Sequence, residues 1–280
     1  MPADDTEPQE KALIFLHIPK TAGTTLNRII ESQYNPLTIF TLDPHRIRAT
    51  VERFKTLPEK RRRRFRVVRG HLLYGIHDYL PQGATYITML RDPVARFLSS
   101  YSFILRRPLH PLHWKLKEKG VGIEDFLRLT LRRQNLQCRV IAGVGESGEC
   151  GKETLDLAKK HLERSFRVVG LCERFAESLA LIAATFGWQI PYYENRKVSK
   201  VRPTVEPALI EMIKEHNRLD LDLYQFGKTL FEQEMSRNQS AVEKLLANRT
   251  VIRKPGRLEN LRQSSVSVGR FALSKIASAI

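Results

Sequence analysis

A short apolar segment near the N-terminus, Ala12 to Ile18, is followed after a few residues by the periodicity of an amphipathic helix. Polar residues bound the segment, which indicates a buried strand of the kind found in the middle of a parallel sheet. The helical pattern begins near Thr24 and places three apolar residues on one face: Leu26, Ile29 and Ile30. The order strand, tight loop, helix predicts an α/β architecture.

The rest of the chain repeats this alternation. Three later segments have the composition of buried strands: Phe65 to Val68, Thr85 to Leu90 and Phe166 to Leu171. Helical patterns lie between and after them, notably Pro93 to Leu105 and Glu173 to Phe186. Asp43 before Pro44 resembles a helix N-cap, and the helix that it would open carries Ile47, Val51 and Phe54 inward. We therefore predict a P-loop-type parallel sheet flanked by helices, with a helical C-terminal part.

The same patterns divide the chain into three regions. Residues 1–10 are expected to be a flexible N-terminus, residues 11–232 one domain, and residues 233–280 a helical and basic tail, loosely ordered. The end of the tail, residues 269–280, has the pattern of a weakly amphipathic basic helix, for which membrane binding is an alternative to a frayed terminus.

Composition narrows the classes of partner. The formal net charge is +17, which attracts polyanions and phosphorylated small molecules without naming one. Three separated cysteines predict neither a disulfide framework nor a zinc site. The acidic start lacks the pattern of a signal peptide and no segment has the length of a membrane span, so we expect a cytoplasmic protein.

The first candidate site is the loop between the first strand and its helix, LHIPKTAGTTL from Leu16 to Leu26. Backbone N–H groups at a helix N-terminus have no intrahelical partner and favour an anion. Gly23 permits close approach, Lys20 supplies a positive charge, and Thr24 and Thr25 supply hydroxyls. The lysine precedes the glycine, unlike in GxxxxGK[ST], which argues against a magnesium-dependent kinase or ATPase. The alternative is a surface turn with an incidental lysine.

The second candidate site is MLRDPVARFLSSY, from Met89 to Tyr101. Arg91 follows a predicted strand at its carboxyl end, where parallel sheets bind ligands, and Ser99 lies two turns into the next helix. An arginine and a hydroxyl converging on a second phosphate are chemically sensible. The alternative is that Asp92 is an N-cap and Arg91 a surface charge.

The pair IPKTAGTT and LRDPVARFLSSY resembles the two cofactor signatures of the sulfotransferase superfamily that uses 3′-phosphoadenosine-5′-phosphosulfate (PAPS). It looks closest to the branch containing heparan sulfate 2-O-sulfotransferase, and the likeness runs from about Lys11 to Phe231. The resemblance implies that PAPS is the sulfate donor and that two sets of residues bind it. The 5′-phosphosulfate set is Lys20, Thr21, Ala22, Gly23, Thr24 and Thr25, and the 3′-phosphate set is Arg91 and Ser99.

The resemblance also implies a mechanism and a class of acceptor. Lys20 is the natural electrophile for the leaving oxygen, so no metal is required. His71, in a GH segment like that of the family's catalytic histidine, is the candidate base, with a structural role and His77 as the alternatives. A loop comparable to the RK segment of the family carries Arg196, Lys197 and Ser199, which are expected to contact the cofactor unless they form a solvated charge run. Sugar hydroxyls, on a carbohydrate or a glycolipid, are the expected acceptors.

Two further features leave alternatives open. The run Arg61 to Arg66 either binds an anionic acceptor or forms a solvated face. A nucleic-acid-binding protein would suit the net charge, yet the sequence has no zinc finger, RRM-like aromatic motif or basic zipper, so nucleic acid is not an expected partner.

Overall fold

The computed structural model describes residues 11–117, 120–146, 148–190 and 205–251, together with residues 273 and 278. Within these ranges, five parallel strands form one sheet in the order β2-β3-β1-β4-β5. The strands are β1 Ala12–Leu16, β2 Ile39–Thr41, β3 Val67–Gly70, β4 Ala84–Leu90 and β5 Phe166–Leu171. The predicted parallel α/β fold is confirmed.

Strand β1 lies at the centre of the sheet, paired with β3 on one side and β4 on the other. All of its side chains are buried, as expected for a continuous apolar run with a strand on each side and helices on both faces. The loops that leave β1, β3, β4 and β5 therefore emerge at one edge of the sheet, and the candidate site residues follow these strands.

Helices cover the sheet and continue beyond it. Their bounds are α1 Gly23–Gln33, α2 Ile47–Thr56, α3 Glu59–Arg62, α4 Pro93–Leu105, α5 His113–Lys117, α6 Ile123–Leu129, α7 Leu136–Ala142, α8 Lys152–Ser165, α9 Phe175–Phe186, α10 Pro207–His216, α11 Arg218–Arg237 and α12 Gln239–Val251. Single 3₁₀ turns span Pro36–Thr38, Ile76–Tyr79 and Leu131–Arg133. None of the helices in the described ranges has the length and apolar character needed to cross a bilayer.

The prediction of an N-cap at Asp43 is wrong. The Asp43 carboxylate accepts a hydrogen bond from the amide of His45, and the Asp43 carbonyl accepts one from the amide of Arg46. These bonds form a turn, and α2 begins only at Ile47. The predicted inward face holds in part, because Phe54 is fully buried whereas Ile47 and Val51 are half-buried.

A buried ion pair joins α1 to the sheet. Arg69, on β3, is 1% exposed and its Nη2 donates to Glu31 Oε1 of α1 over 2.6 Å. Its Nε donates to Thr41 Oγ1 and its Nη1 to the carbonyl of Asn27. A guanidinium buried among matched acceptors in this way fixes the helix that begins at the loop after β1.

The C-terminal helices continue the fold past residue 232, the expected end of the domain, which falls inside α11. Helix α12 packs against α9, and its Val242 is 1% exposed. Farther along, Ser278 Oγ accepts a hydrogen bond from the amide of Thr41 on the outer strand β2.

Candidate active site

The loop between β1 and α1 has a backbone in which two non-glycine residues adopt the left-handed conformation. Lys20 and Ala22 both have positive φ, 75° and 62°, and Ala22 is the N-cap of α1. Thr21 is buried and its hydroxyl donates to the carbonyl of Ile18 over 2.8 Å. The Thr21 side chain therefore braces the loop, while Thr24 is exposed and Thr25 half-exposed at the helix N-terminus, where an anion is favoured.

Gly23 is required by a close approach rather than by its φ. A Cβ at this position would lie 1.9 Å from Nε2 of His17 and 2.0 Å from its Cδ2. The imidazole of His17 thus occupies the space above the first turn of α1, where it stacks on Phe15 with the ring centroids 5.4 Å apart. Any larger residue at position 23 would displace this ring.

The two sequence motifs meet at the carboxyl ends of β1 and β4. Arg91 Nη1 donates to the carbonyl of Lys20 over 3.0 Å. Asp92 is the N-cap of α4, as one alternative had it, because its carboxylate accepts from the amide of Ala95 over 2.8 Å. Arg91 is nevertheless more than a surface charge, since its guanidinium spans the gap between the two candidate loops.

Helix α4 turns one face toward the first loop. The ammonium of Lys20 lies 4.1 Å from the centroid of the Phe103 ring, a cation–π contact. Ser99 precedes Phe103 by four residues, so both side chains leave the helix on the same side. The structure therefore places Ser99 on the side of the helix that faces Lys20.

Two side chains that the sequence patterns did not single out hold Arg91 in place. The Gln137 side-chain amide accepts from the Arg91 N–H over 2.9 Å and donates to the Arg91 carbonyl over 2.8 Å. The Glu173 carboxylate accepts from the amide of Asp92 and from the hydroxyl of Tyr224, and lies 3.9 Å from Nε of Arg91. Glu173 follows β5 at the same sheet edge, which is the one signal that predicts its place.

Gln137 is fixed in turn by a buried carboxylate. Asp220, on α11, accepts from the backbone amides of Gln137 and Cys138 at the N-terminus of α7. Burial has the largest effect on the pKa of Asp220 and raises it above its usual value. The nearby Arg96 guanidinium and these hydrogen bonds act in the opposite direction. Arg96 is buried as well, and its Nη2 lies 3.9 Å from Asp220.

His71 lies just beyond β3, beside the first loop. Its Nδ1 is 2.7 Å from the carbonyl oxygen of His17, and the two imidazole centroids are 4.3 Å apart. Because a carbonyl only accepts, Nδ1 carries the proton and Nε2 of the neutral ring keeps its lone pair. Burial lowers the pKa of His71, against a smaller opposite effect of the bond to His17. At neutral pH this imidazole is a base with one nitrogen free to accept a proton.

His77, the alternative base, is engaged at both ring nitrogens. Its Nδ1 is 2.9 Å from the hydroxyl of Tyr86, and its Nε2 lies 3.3 Å from the Asp78 carboxylate. The ring also packs against Tyr74. These contacts support a structural role.

Two cavities open beside His71. The larger, of about 630 Å³, lies between α2, the segment after β3 and α7, and its wall includes His17, Pro19, Arg48 and Glu146. The smaller, of about 270 Å³, lies against α4 and α6. Both cavities have Pro19 and His71 in their walls.

The remaining residues that the sequence singled out are either not described by the structure or lie elsewhere in the fold. Arg196, Lys197 and Ser199 lie outside the described residues. The run Arg61 to Arg66 precedes β3 and so lies at the opposite edge; there Arg62 donates to two backbone carbonyls and Arg63 pairs with Glu59.

Comparison with known proteins gives the family. The sequence model of the galactose-3-O-sulfotransferase family matches residues 1–259. Human heparan-sulfate 6-O-sulfotransferase 1 is 26% identical over 184 residues, which is 55% of this chain and 44% of the relative. Bovine galactose-3-O-sulfotransferase 3 is 24% identical over 270 residues, 87% of this chain and 62% of the relative. Human galactosylceramide sulfotransferase is 26% identical over 184 residues, 60% of this chain and 43% of the relative.

The alignments thus span between 43% and 62% of the length of these relatives. The family match extends over far more than half of the chain and includes both candidate loops, and the resemblance to the sulfotransferase superfamily that these loops carry is confirmed. The chain belongs to the galactose-3-O-sulfotransferase family.

Proposed function

We propose that this protein transfers a sulfuryl group from PAPS to a hydroxyl of a carbohydrate or glycolipid acceptor. The observation that carries the proposal is the hydrogen bond from Arg91 to the carbonyl of Lys20, which joins the two anion-binding motifs at the centre of the sheet. The names of the relatives support the class of acceptor, since they include heparan sulfate, galactose and galactosylceramide.

The described residues fit a donor with two separate anionic groups. The N-terminus of α1, with Lys20, Thr24 and Thr25, suits the phosphosulfate because it combines backbone N–H groups, hydroxyls and a full positive charge. Arg91 and Ser99 suit the 3′-phosphate, because both belong to the second motif and face the first loop. When bound, PAPS supplies an activated sulfuryl group whose leaving oxygen carries a phosphate.

Lys20 stabilises the negative charge on the leaving oxygen. In sulfuryl transfer the bond from sulfur to the bridging oxygen breaks as the bond from sulfur to the acceptor oxygen forms, and negative charge grows on the bridging oxygen. A positioned ammonium stabilises that charge more strongly in the transition state than in the ground state. The contact of Lys20 with Phe103 keeps the ammonium on the side of the loop that faces α4.

His71 accepts the proton of the acceptor hydroxyl. The attacking hydroxyl loses its proton during the reaction, and Nε2 of a neutral imidazole accepts it. The hydrogen bond to the His17 carbonyl holds the tautomer that this step requires. The cavity of about 630 Å³ beside His71 has room for a sugar, and its wall carries side chains able to bind hydroxyls, among them Arg48, Glu52 and Asp78.

The proposal is tested by incubating the protein with PAPS labelled on the sulfate and a panel of acceptors: a glycosaminoglycan, a galactoside, galactosylceramide and a phenol. Transfer of label to a sugar-bearing acceptor, slowed about 10²- to 10³-fold in the Lys20→Ala variant, is the expected result. Label transfer to the phenol alone would refute the acceptor class. Label transfer to none of them, with phosphate transfer from Mg-ATP instead, would refute the sulfotransferase proposal.

A further inference from the structure

The segment that follows α4 exposes large apolar side chains. Leu109 is 100% exposed and Trp114 is 61% exposed, whereas most large apolar side chains of the described ranges belong to the core. We name residues 106–117 the Trp114 surface. Solvent exposure of a leucine and a tryptophan on one short segment costs free energy unless something covers them.

The segment that exposes these side chains is anchored to the rest of the protein. His113 and Leu116 of α5 are buried at 6% and 3% exposure, and Nδ1 of His113 lies 3.0 Å from the carbonyl of Ile104 at the end of α4. Leu116 packs with Phe97 in the apolar cluster under α4. Because one side of α5 is anchored in this way, Trp114 on the other side is held outward.

The charged side chains of this segment are all of one sign. Four exposed cations belong to the surface: Arg106, Arg107, Lys115 and Lys117. The sequence has no acidic residue between Asp92 and Glu118. Among the ion pairs of the described residues, none includes any of the four cations.

We propose that the Trp114 surface binds the interface of an anionic lipid membrane. A tryptophan and a leucine between lysines and arginines match that interface, because the indole and the leucine enter the boundary between headgroups and acyl chains while the cations meet lipid phosphates and carboxylates. A sulfated polysaccharide would attract the cations equally well, but it offers nothing to cover Leu109 and Trp114. The combination of charge and exposed apolar area therefore favours the membrane.

The surface lies next to the donor site. The guanidinium of Arg107 is 5.1 Å from the centroid of the Phe103 ring, and the ammonium of Lys20 is 4.1 Å from the same centroid. A protein bound to a membrane through this surface would hold Lys20 near the lipid headgroups, where a sugar carried on a lipid is within reach. This consequence for the acceptor rests on the proposed function, whereas membrane binding itself does not.

The test uses the full chain, without PAPS or acceptor, and so is independent of sulfuryl transfer. Binding to phosphatidylcholine vesicles with and without phosphatidylserine is measured by co-sedimentation and by tryptophan emission. We expect binding that needs phosphatidylserine, with a blue shift of the emission as Trp114 enters the interface. Trp114→Phe leaves Trp188, which is 7% exposed, as the remaining tryptophan, and the blue shift should disappear.

Charge and apolar contributions are then separated. Lys115→Gln with Lys117→Gln should weaken binding roughly 25-fold, at about fivefold for each cation near an anionic surface. Lys60→Gln with Arg64→Gln removes the same charge from two exposed residues at the opposite sheet edge, one just before the run Arg61 to Arg66 and one within it. This matched control should weaken binding far less. Leu109→Asp should weaken binding and leave the melting temperature unchanged.

Three results would overturn the proposal. The first is equal loss of binding in the two double variants, which would mean that only net charge matters. The second is binding without a blue shift in the native protein. The third is tighter binding to heparin than to anionic vesicles, with the tryptophan emission unchanged, which would assign the surface to a polysaccharide.

Discussion

Replacement of His71 by asparagine separates the chemistry of this residue from its structural contribution. An asparagine amide can still donate to the His17 carbonyl, as Nδ1 of His71 does over 2.7 Å, but it has no basic nitrogen to take the place of Nε2. Loss of a positioned general base lowers turnover by about 10² to 10⁴, or about 3–5 kcal/mol in the barrier. His71→Ala should lose about as much turnover and, in addition, about 1 kcal/mol of stability from the missing hydrogen bond.

The pH dependence follows from the direction of the pKa shift. Burial lowers the pKa of His71 below its ordinary value of about 6.5, so the imidazole is neutral, and active, at pH 7. The turnover number should fall toward acid pH as Nε2 becomes protonated, and the midpoint of this fall should lie below about pH 6.5. In the His71→Asn variant this fall should vanish. Its affinity for the product 3′-phosphoadenosine-5′-phosphate should be within about twofold of the native value, as expected for a residue that acts on the acceptor.

The assay is steady-state transfer of labelled sulfate to the acceptor identified by the panel, between pH 5 and pH 9, with the melting temperature of each variant measured in parallel. His77→Asn is the matched control, because His77 is engaged at both nitrogens and should not change the pH profile. Near-normal turnover of a folded His71→Asn variant would refute the assignment of the base. A fall in native turnover whose midpoint lies well above about pH 6.5 would refute the assigned pKa direction.

Three further predictions concern the donor site and the fold. The product 3′-phosphoadenosine-5′-phosphate, at about 100 times its Kd and without magnesium, should raise the melting temperature by roughly 5–10 °C, and a larger rise with Mg-ATP would favour a kinase. Lys20→Ala should lower turnover about 10²- to 10³-fold with little change in the Kd of this product, whereas Arg91→Ala should raise that Kd about 10- to 100-fold; equal losses of affinity measured by calorimetry would make Lys20 an anchor only. Glu31→Gln should destabilise the protein by about 3–5 kcal/mol in urea unfolding, because Arg69 is left charged and buried. The control Glu52→Gln, at the exposed pair with Lys55, should cost less than about 1 kcal/mol. Similar small effects of both variants would contradict the role of the buried pair.

Much of the fold could be predicted from local patterns. The segments predicted as strands correspond to β1, β3, β4 and β5, because buried parallel strands are continuous apolar runs bounded by polar residues. Strand β2, Ile39–Thr41, was not predicted because three residues are too few to show any periodicity. The start of α2 was misplaced because an aspartate before a proline also opens a turn, and the hydrogen bond from His45 decides between the two.

The candidate site was predictable where its residues follow strands in recognisable loops. Lys20, Arg91 and His71 all lie at one sheet edge, as their positions after β1, β4 and β3 required. Gln137 and Glu173, which position Arg91, could not be singled out, because their contacts depend on how α7 and the end of β5 pack against the loop after β4. The cytoplasmic location and the contacts of Arg196, Lys197 and Ser199 stay predictions.

The side-chain amide of Gln137 acts toward Arg91 as the peptide group of a neighbouring strand would. It accepts from the Arg91 N–H and donates to the Arg91 carbonyl, which is the pair of bonds that two strand residues exchange. The backbone of Arg91 is thus paired like that of a strand residue, although β4 has already ended. The guanidinium of Arg91 therefore extends from a backbone whose conformation is fixed. Helix α7, which carries Gln137, also contributes Leu136 to the wall of both cavities beside His71. We therefore expect that an acceptor that contacts the start of α7 also affects the position of Arg91. The affinity of the protein for the acceptor and its affinity for PAPS would then depend on each other.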